Sequence, residues 1–136
     1  MKRVSKIEWE MGSNIKKVWE TVTNLDDCDW RSDLSKIEKI NEQKFIEHFK
    51  SGGQTTFVIT DKEFCKKYCF DMENKFFIGT WTGIFIKLDT QKTKLIFSEE
   101  LNIKNPFIWA LSFLVMNLKR IQKEYMQDLE RKLSHD

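Results

Sequence analysis

Six short segments rich in strand formers follow one another from residue 33 to residue 103, and most of the gaps between them are too short for anything but a turn. The segments are 33–40, 44–50, 54–61, 64–74, 76–89 and 93–103. Asn41-Glu42-Gln43, Ser51-Gly52-Gly53, Lys62-Glu63 and Thr90-Gln91-Lys92 punctuate them. A parallel pairing would need a crossover of a dozen residues or more, so such gaps dictate hairpins and an antiparallel meander.

Residues 4–11 form a further strand candidate ahead of the meander, broken by Gly12-Ser13-Asn14. Ser13 or Asn14 can cap the helix that follows, whose apolar face is Ile15, Val18, Trp19 and Val22 and which ends near Asn24. The acids of Asp26-Asp27-Cys28-Asp29-Trp30 suit a second, very short helix, since its N-terminal dipole favours them. After the meander, Asn105-Pro106 ends the last strand and opens a helix. Phe107, Leu111, Leu114, Leu118, Ile121, Tyr125 and Leu129 then make one stripe, predicting a single helix of about 28 residues, roughly 42 Å long. Its first half is apolar nearly all round and is expected to be the more deeply covered. The expectation is one α+β domain over residues 1–136: seven strands, two short helices after the first strand, and one long C-terminal helix.

Several function classes drop out. Lys and Arg number 23 against 21 acids, a net charge of +2, which gives no field to argue for nucleic acid or an anionic membrane. The most apolar run, 107–116, is about half the length of a membrane-spanning helix. The start of the chain carries Lys2 and Arg3 with no apolar run behind them, and a cytoplasmic location is expected. Cys28, Cys65 and Cys69 read as free, buried thiols. Cys65 and Cys69, placed four apart on one strand, would sit roughly 13 Å from each other, too far for a disulfide. With only His48 and His135 to accompany them, no metal site is expected. Gly52-Gly53 has neither a Lys-Ser/Thr nor a helix after it, so no phosphate loop and no cofactor is expected.

Strand alternation sorts candidate pocket residues. In 76–89 the uncharged row is Phe76, Ile78, Thr80, Thr82, Ile84, Ile86 and Leu88, which is assigned to the interior. In 93–103 the inward row is Leu95, Phe97, Glu99, Leu101 and Ile103. Glu99 is the exception there: a carboxylate among Phe97 and Leu101 either finds a partner, shifts its pKa upward, or escapes at a bulge. It is the first candidate for an acid/base group, and Glu47, between Phe45 and Phe49, is the second. The face 45-47-49 and the face of Ile46, His48 and Lys50 are equally mixed, and alternation does not choose between them. Tyr68, Phe70 and Met72 share a face, and Tyr68 either points its hydroxyl into a cavity or simply packs. Trp109 and Phe113 on the last helix are read as core and as ligand contacts if a void exists. Whether the inward rows line a pocket or fill a core is left open by the pattern alone.

The order strand, helix, short helix, six strands, long helix resembles the helix-grip fold of the START-like (birch-pollen-allergen-like) superfamily. Val18-Trp19-Glu20, Asp29-Trp30-Arg31-Ser32-Asp33-Leu34, Gly79-Thr80-Trp81-Thr82, and Ser98-Glu99-Glu100 with Asn105-Pro106 are similar to its polyketide cyclase/dehydrase branch. The resemblance covers nearly the whole chain through loose patterns. It implies a sheet curled around the last helix with a cavity between them, a mouth where Trp30 caps a ligand and Arg31 meets a carboxylate, and a lipid- or polyketide-like occupant. Three functions follow as expectations: a non-enzymatic binder of a small hydrophobic or amphipathic ligand; a cyclase/dehydratase using Glu99; and a protein-interaction module using the charged tail from Lys119-Arg120 to Glu130-Arg131-Lys132.

Overall fold

The hairpin gaps close as expected, and a computed structural model describes residues 1–135. The elements are β1 (Lys2–Met11), α1 (Ile15–Thr23), β2 (Leu34–Lys39), β3 (Lys44–Phe49), β4 (Gln54–Glu63), β5 (Lys67–Glu73), β6 (Ile78–Asp89), β7 (Lys92–Asn102), α2 (Pro106–Val115) and α3 (Leu118–Ser134). The seven strands form one antiparallel sheet in the order β1-β7-β6-β5-β4-β3-β2. β2 to β7 are therefore a continuous meander, and β1 closes the far edge against β7. Irregularities at Leu34/Lys36, Ile59/Asp61 and Lys87/Asp89 break the register, and such bulges bend a strand and add to its twist. α1 and α3 pack together, and α3 lies along β1. Among the described residues, no helix is long and apolar enough to cross a membrane.

Five expectations need correction. Residues 25–33 form turns in place of a second short helix. Asn24 Oδ1 accepts from Asp26 N and Asp27 Oδ1 from Asp29 N, and such side-chain bonds give the backbone an alternative to helix. The C-terminal stretch is two helices, because Met116 and Asn117 are extended and Asn117 Oδ1 accepts from Arg120 N to start α3 afresh. Burial runs opposite to expectation as well. Apolar α2 buries only Ser112, whereas charged α3 buries Leu118, Gln122, Met126, Asp128, Leu129 and Leu133. Cys65, read as a strand residue, has φ of 57° in the turn between β4 and β5.

The fifth correction concerns β6, where the odd row faces the interior. Gly79, Trp81, Gly83 and Phe85 stand directly opposite Leu101, Glu99, Phe97 and Leu95 of β7, and partners in register share a face. Thr80 and Thr82 therefore lie on the outer face, beside Val4, Lys6, Ser98 and Glu100. On the inner row Gly83 makes room for the flat Trp81 ring and Gly79 for close approach of the β7 backbone. A Cβ on Gly83 would come within 2.6 Å of the Trp81 ring, and one on Gly79 within 2.5 Å of the Glu100 carbonyl oxygen.

Candidate functional site

Side chains do not fill the space between the concave sheet and α3. A cavity of about 750 Å³ remains, bounded by α1 and the loop after it, the inner rows of β3 to β7, and the stretch from Met116 to Tyr125. Exposed Phe76 and Ile121 also line it and mark where it reaches solvent.

Its walls are rings in mutual contact. Phe45 stacks on Phe57 at 5.0 Å and Phe70 stacks on Trp81 at 4.7 Å between centroids. Edge-to-face contacts continue from Phe57 to Phe70, from Trp81 to Phe97, from Phe97 to Tyr125 and from Tyr125 to Trp30. Such pairs favour offset or edge-on geometry, so each ring limits the tilt of the next and the wall is held open as a unit.

Set into this wall is a polar cluster. The Arg31 side chain is only 12% exposed and Glu47 only 11%. Arg31 Nε and Nη2 donate to the two oxygens of Asp33 at 3.1 and 3.0 Å, and Nη1 donates to Glu47 Oε2 at 3.2 Å. The guanidinium also lies over the Tyr125 ring, 4.7 Å from its centroid. Burial opposes the charge of Arg31, but Glu47, Tyr125 and Asp33 outweigh it and its pKa is raised. Glu47 is raised too: burial dominates over the pull of Arg31, and Asp33 adds repulsion. The directions agree once stoichiometry is considered, because one guanidinium serves two carboxyls and its two-pronged bond goes to Asp33.

Tyr68 is 2% exposed, and its hydroxyl has no hydrogen-bond partner. Burial, with a contribution from Glu47, pushes the phenol up to about 12, so at neutral pH it is a donor in want of an acceptor. Glu99, on the opposite part of the lining, is raised to about 7 by burial, against a downward pull from Arg3. No group of three or more His, Cys, Asp or Glu among the described residues is arranged to hold a metal ion.

Of the residues expected at a site, Trp30, Arg31, Phe45, Glu47, Phe49, Tyr68, Phe70, Phe97 and Glu99 all line this cavity. Thr80 and Thr82 do not, for the register reason given above. Trp109 and Phe113 do not either: Trp109 Nε1 donates to the Lys2 carbonyl, and Phe113 is half exposed beneath the Arg3 guanidinium. Arg31 sits inside the wall and not at the mouth, and the carboxylates it meets are the protein's own. His48 lies on the outer side with Glu38. Sequence reasoning missed Trp81, which alternation placed outside, and it missed two buried polar residues of α3. Gln122 Oε1 accepts from Ser5 Oγ at 2.7 Å while its Nε2 donates to the Ser5 carbonyl at 3.1 Å. Asp128 accepts from Ser32 N at 2.8 Å and Ser32 Oγ at 2.7 Å. These bonds tie α3 to β1 and to the loop ahead of β2. The signal for Gln122 in the sequence is a polar residue in phase with Leu118, Met126 and Leu129, whereas Asp128 lies off that stripe and gives none.

No family model and no curated protein matches the chain. Solved structures do. A conserved protein from Geobacillus kaustophilus superposes with a TM-score of 0.82 at 12% identity, covering 98% of this chain and 96% of that one. The Zhui aromatase/cyclase from Streptomyces sp. R1128 gives 0.79 at 13% identity, covering 98% and 94%. A START superfamily protein from Mycobacterium smegmatis gives 0.77 at 10%, covering 97% of each chain. The chain has the START-like helix-grip fold; at these identities the likeness speaks to fold and not to activity.

Proposed function

We propose, from a START-like fold whose interior is open, that the protein binds one small amphipathic ligand between the sheet and α3. Its apolar body lies against the ring wall, and its polar group accepts a hydrogen bond from Tyr68 close to Glu47 and Arg31. The observation that carries this is the Tyr68 hydroxyl, buried without a partner in a largely aromatic wall and close to Glu47. Such an orphan costs about 1–3 kcal/mol in the empty protein, a cost that a ligand acceptor removes. The cavity volume, about 750 Å³, falls in the range of about 300–1,000 Å³ usual for small-molecule sites.

Titration with the fluorescent apolar amine 1-N-phenylnaphthylamine tests it. One saturable site per chain is expected, with displacement by amphipaths bearing a hydroxyl or carbonyl. Tyr68→Phe keeps the ring and removes the donor, so it weakens those competitors about tenfold while leaving the probe, whose diarylamine nitrogen is a poor acceptor, unchanged. Absence of saturable binding, or binding lost with Leu114→Glu on exposed α2, would place the probe elsewhere and defeat the proposal.

One observation favours a second reading, an enzyme of the cyclase/dehydratase kind. Glu99, at about 7, is poised to give or take a proton near neutrality inside the same cavity. If Glu99→Gln binds ligand as well as the parent but loses at least about a hundredfold in turnover of a bound polyketide-like compound, the carboxyl is chemical. Unchanged turnover would leave binding alone.

A further inference from the structure

α2 exposes a broad apolar surface that none of the described residues covers. Phe107 and Leu114 are 84% exposed and Val115 75%, with Leu111, Phe113 and Ile121 of α3 beside them at about half. At 100° per residue, these α2 positions spread over more than half of the helix circumference. α2 is held instead by polar bonds. Arg3 Nη1 donates to the Ser112 and Met116 carbonyls at 3.0 and 2.8 Å, and Trp109 donates to the Lys2 carbonyl. Charge is distributed with one sign around it. Between Glu100 and Glu124 there is no acid, whereas Lys104 lies before the helix and Lys119, Arg120 and Lys123 after it. Arg120 shares an exposed ion pair with Glu124, which leaves an excess of three cations.

We infer that α2 and the first turn of α3 form a peripheral docking surface for an anionic lipid bilayer. A ten-residue apolar helix is too short to span a membrane but fits one lying in the interface. Basic residues at its ends meet the negative headgroups while Phe107, Leu111 and Leu114 enter the acyl boundary. The same charge pattern disfavours a second copy of the chain: both ends of α2 are basic, so packing α2 on α2 in either direction sets cations against cations. The surface adjoins the cavity, since Met116 and Ile121 line it. Docking does not require the cavity to hold a ligand, so the two proposals fail separately.

Cosedimentation with vesicles of phosphatidylcholine, with and without about a third phosphatidylglycerol, tests this. The bound fraction should reflect a partition coefficient on the order of tenfold higher on the anionic vesicles, and it should fall as salt is raised. The double variant Phe107→Glu/Leu114→Glu should stay folded by circular dichroism and lose anionic binding. Should it fail to fold, Lys119→Gln/Lys123→Gln is expected to lower binding to anionic vesicles while leaving the fold intact. Tyr68→Phe should bind vesicles like the parent. No partition onto anionic vesicles overturns the inference, as does binding that neither pair changes. A dimer in light scattering that the Phe107/Leu114 pair abolishes would also overturn it, assigning the face to self-association.

Discussion

α2 and α3 are adjoining helices that a single hydrophobic stripe joins in sequence, yet they relate to the protein in opposite ways. α2 is apolar on nearly every side and touches the sheet through Arg3 and Trp109, with its large side chains in solvent. α3 is charged on one side and buries Leu118, Met126, Leu129 and Leu133, two of them with no exposure at all. The difference teaches that hydrophobicity does not by itself decide burial. A helix is buried when its apolar side faces one partner and its remaining sides can face water. α3 meets that condition against α1 and β1, whereas α2 offers no polar side to turn outward.

The largest expected effect tests this contrast directly. Leu129→Ala should cost about 3 kcal/mol in denaturant unfolding, whereas Leu114→Ala should stay within about 0.5 kcal/mol. Equal losses would erase the distinction. Next in size, Gln122→Ala leaves the Ser5 hydroxyl without its acceptor and the Ser5 carbonyl without its donor, and should cost about 2 kcal/mol. Its counterpart for α2 is Arg3→Met. That change should speed amide exchange in α2 while moving the midpoint of global unfolding little, because α2 contributes little core.

The cavity wall supplies smaller effects with a defined sign. Glu99 rises from 4.5 to about 7 on folding, so between those values the native state holds a proton that the unfolded chain has released. Stability from this group is therefore full below 4.5 and falls as pH rises towards 7. Glu99→Gln should flatten that slope by about 1–2 kcal/mol, less than the whole shift because the carboxyl keeps partial contact with solvent. Asp128 has the opposite sign. Burial works against its charge, but the Ser32 backbone and hydroxyl and Arg131 outweigh it and lower its pKa, so its contribution is lost on acidification and Asp128→Asn should remove that loss. Smallest, Tyr68→Phe should stabilise the ligand-free protein by about 1 kcal/mol, because it deletes an unpaired buried hydroxyl.

Much of this was legible in the sequence, and the failures share a cause. Gap lengths alone dictate the meander, and alternation in β5 and β7 correctly turns Tyr68, Phe70, Phe97 and Glu99 inward. In β6 the same rule failed because it counted charges on one strand. Pairing β6 to β7 across the turn at 90–92 sets Trp81 against Glu99 and Gly83 against Phe97, and the inward row follows from the neighbour. Glycine carries no charge and no side chain, so a scan for apolar rows cannot see that Gly79 and Gly83 shape the wall. The stripe from 107 to 129 hid the break because spacing survives a two-residue interruption, although Asn117 ahead of Lys119-Arg120 is a cap signal. Net charge conceals local distribution in the same manner. A total of +2 averages away a 23-residue stretch, 101–123, with no acid in it. The polar cluster of Arg31, Asp33 and Glu47 joins a loop, a strand edge and a central position, which no local pattern connects.

The claim on which the rest depends is that the space under α3 is a binding site. Native mass spectrometry of the protein purified without detergent, followed by release and identification of whatever it carries, tests that most directly. The expected result is a single adduct of small-molecule mass at one per chain, or its uptake from a library of amphipaths, reduced in Tyr68→Phe for compounds that offer an acceptor. A chain that emerges bare and takes up no compound from the library under gentle ionisation would contradict it.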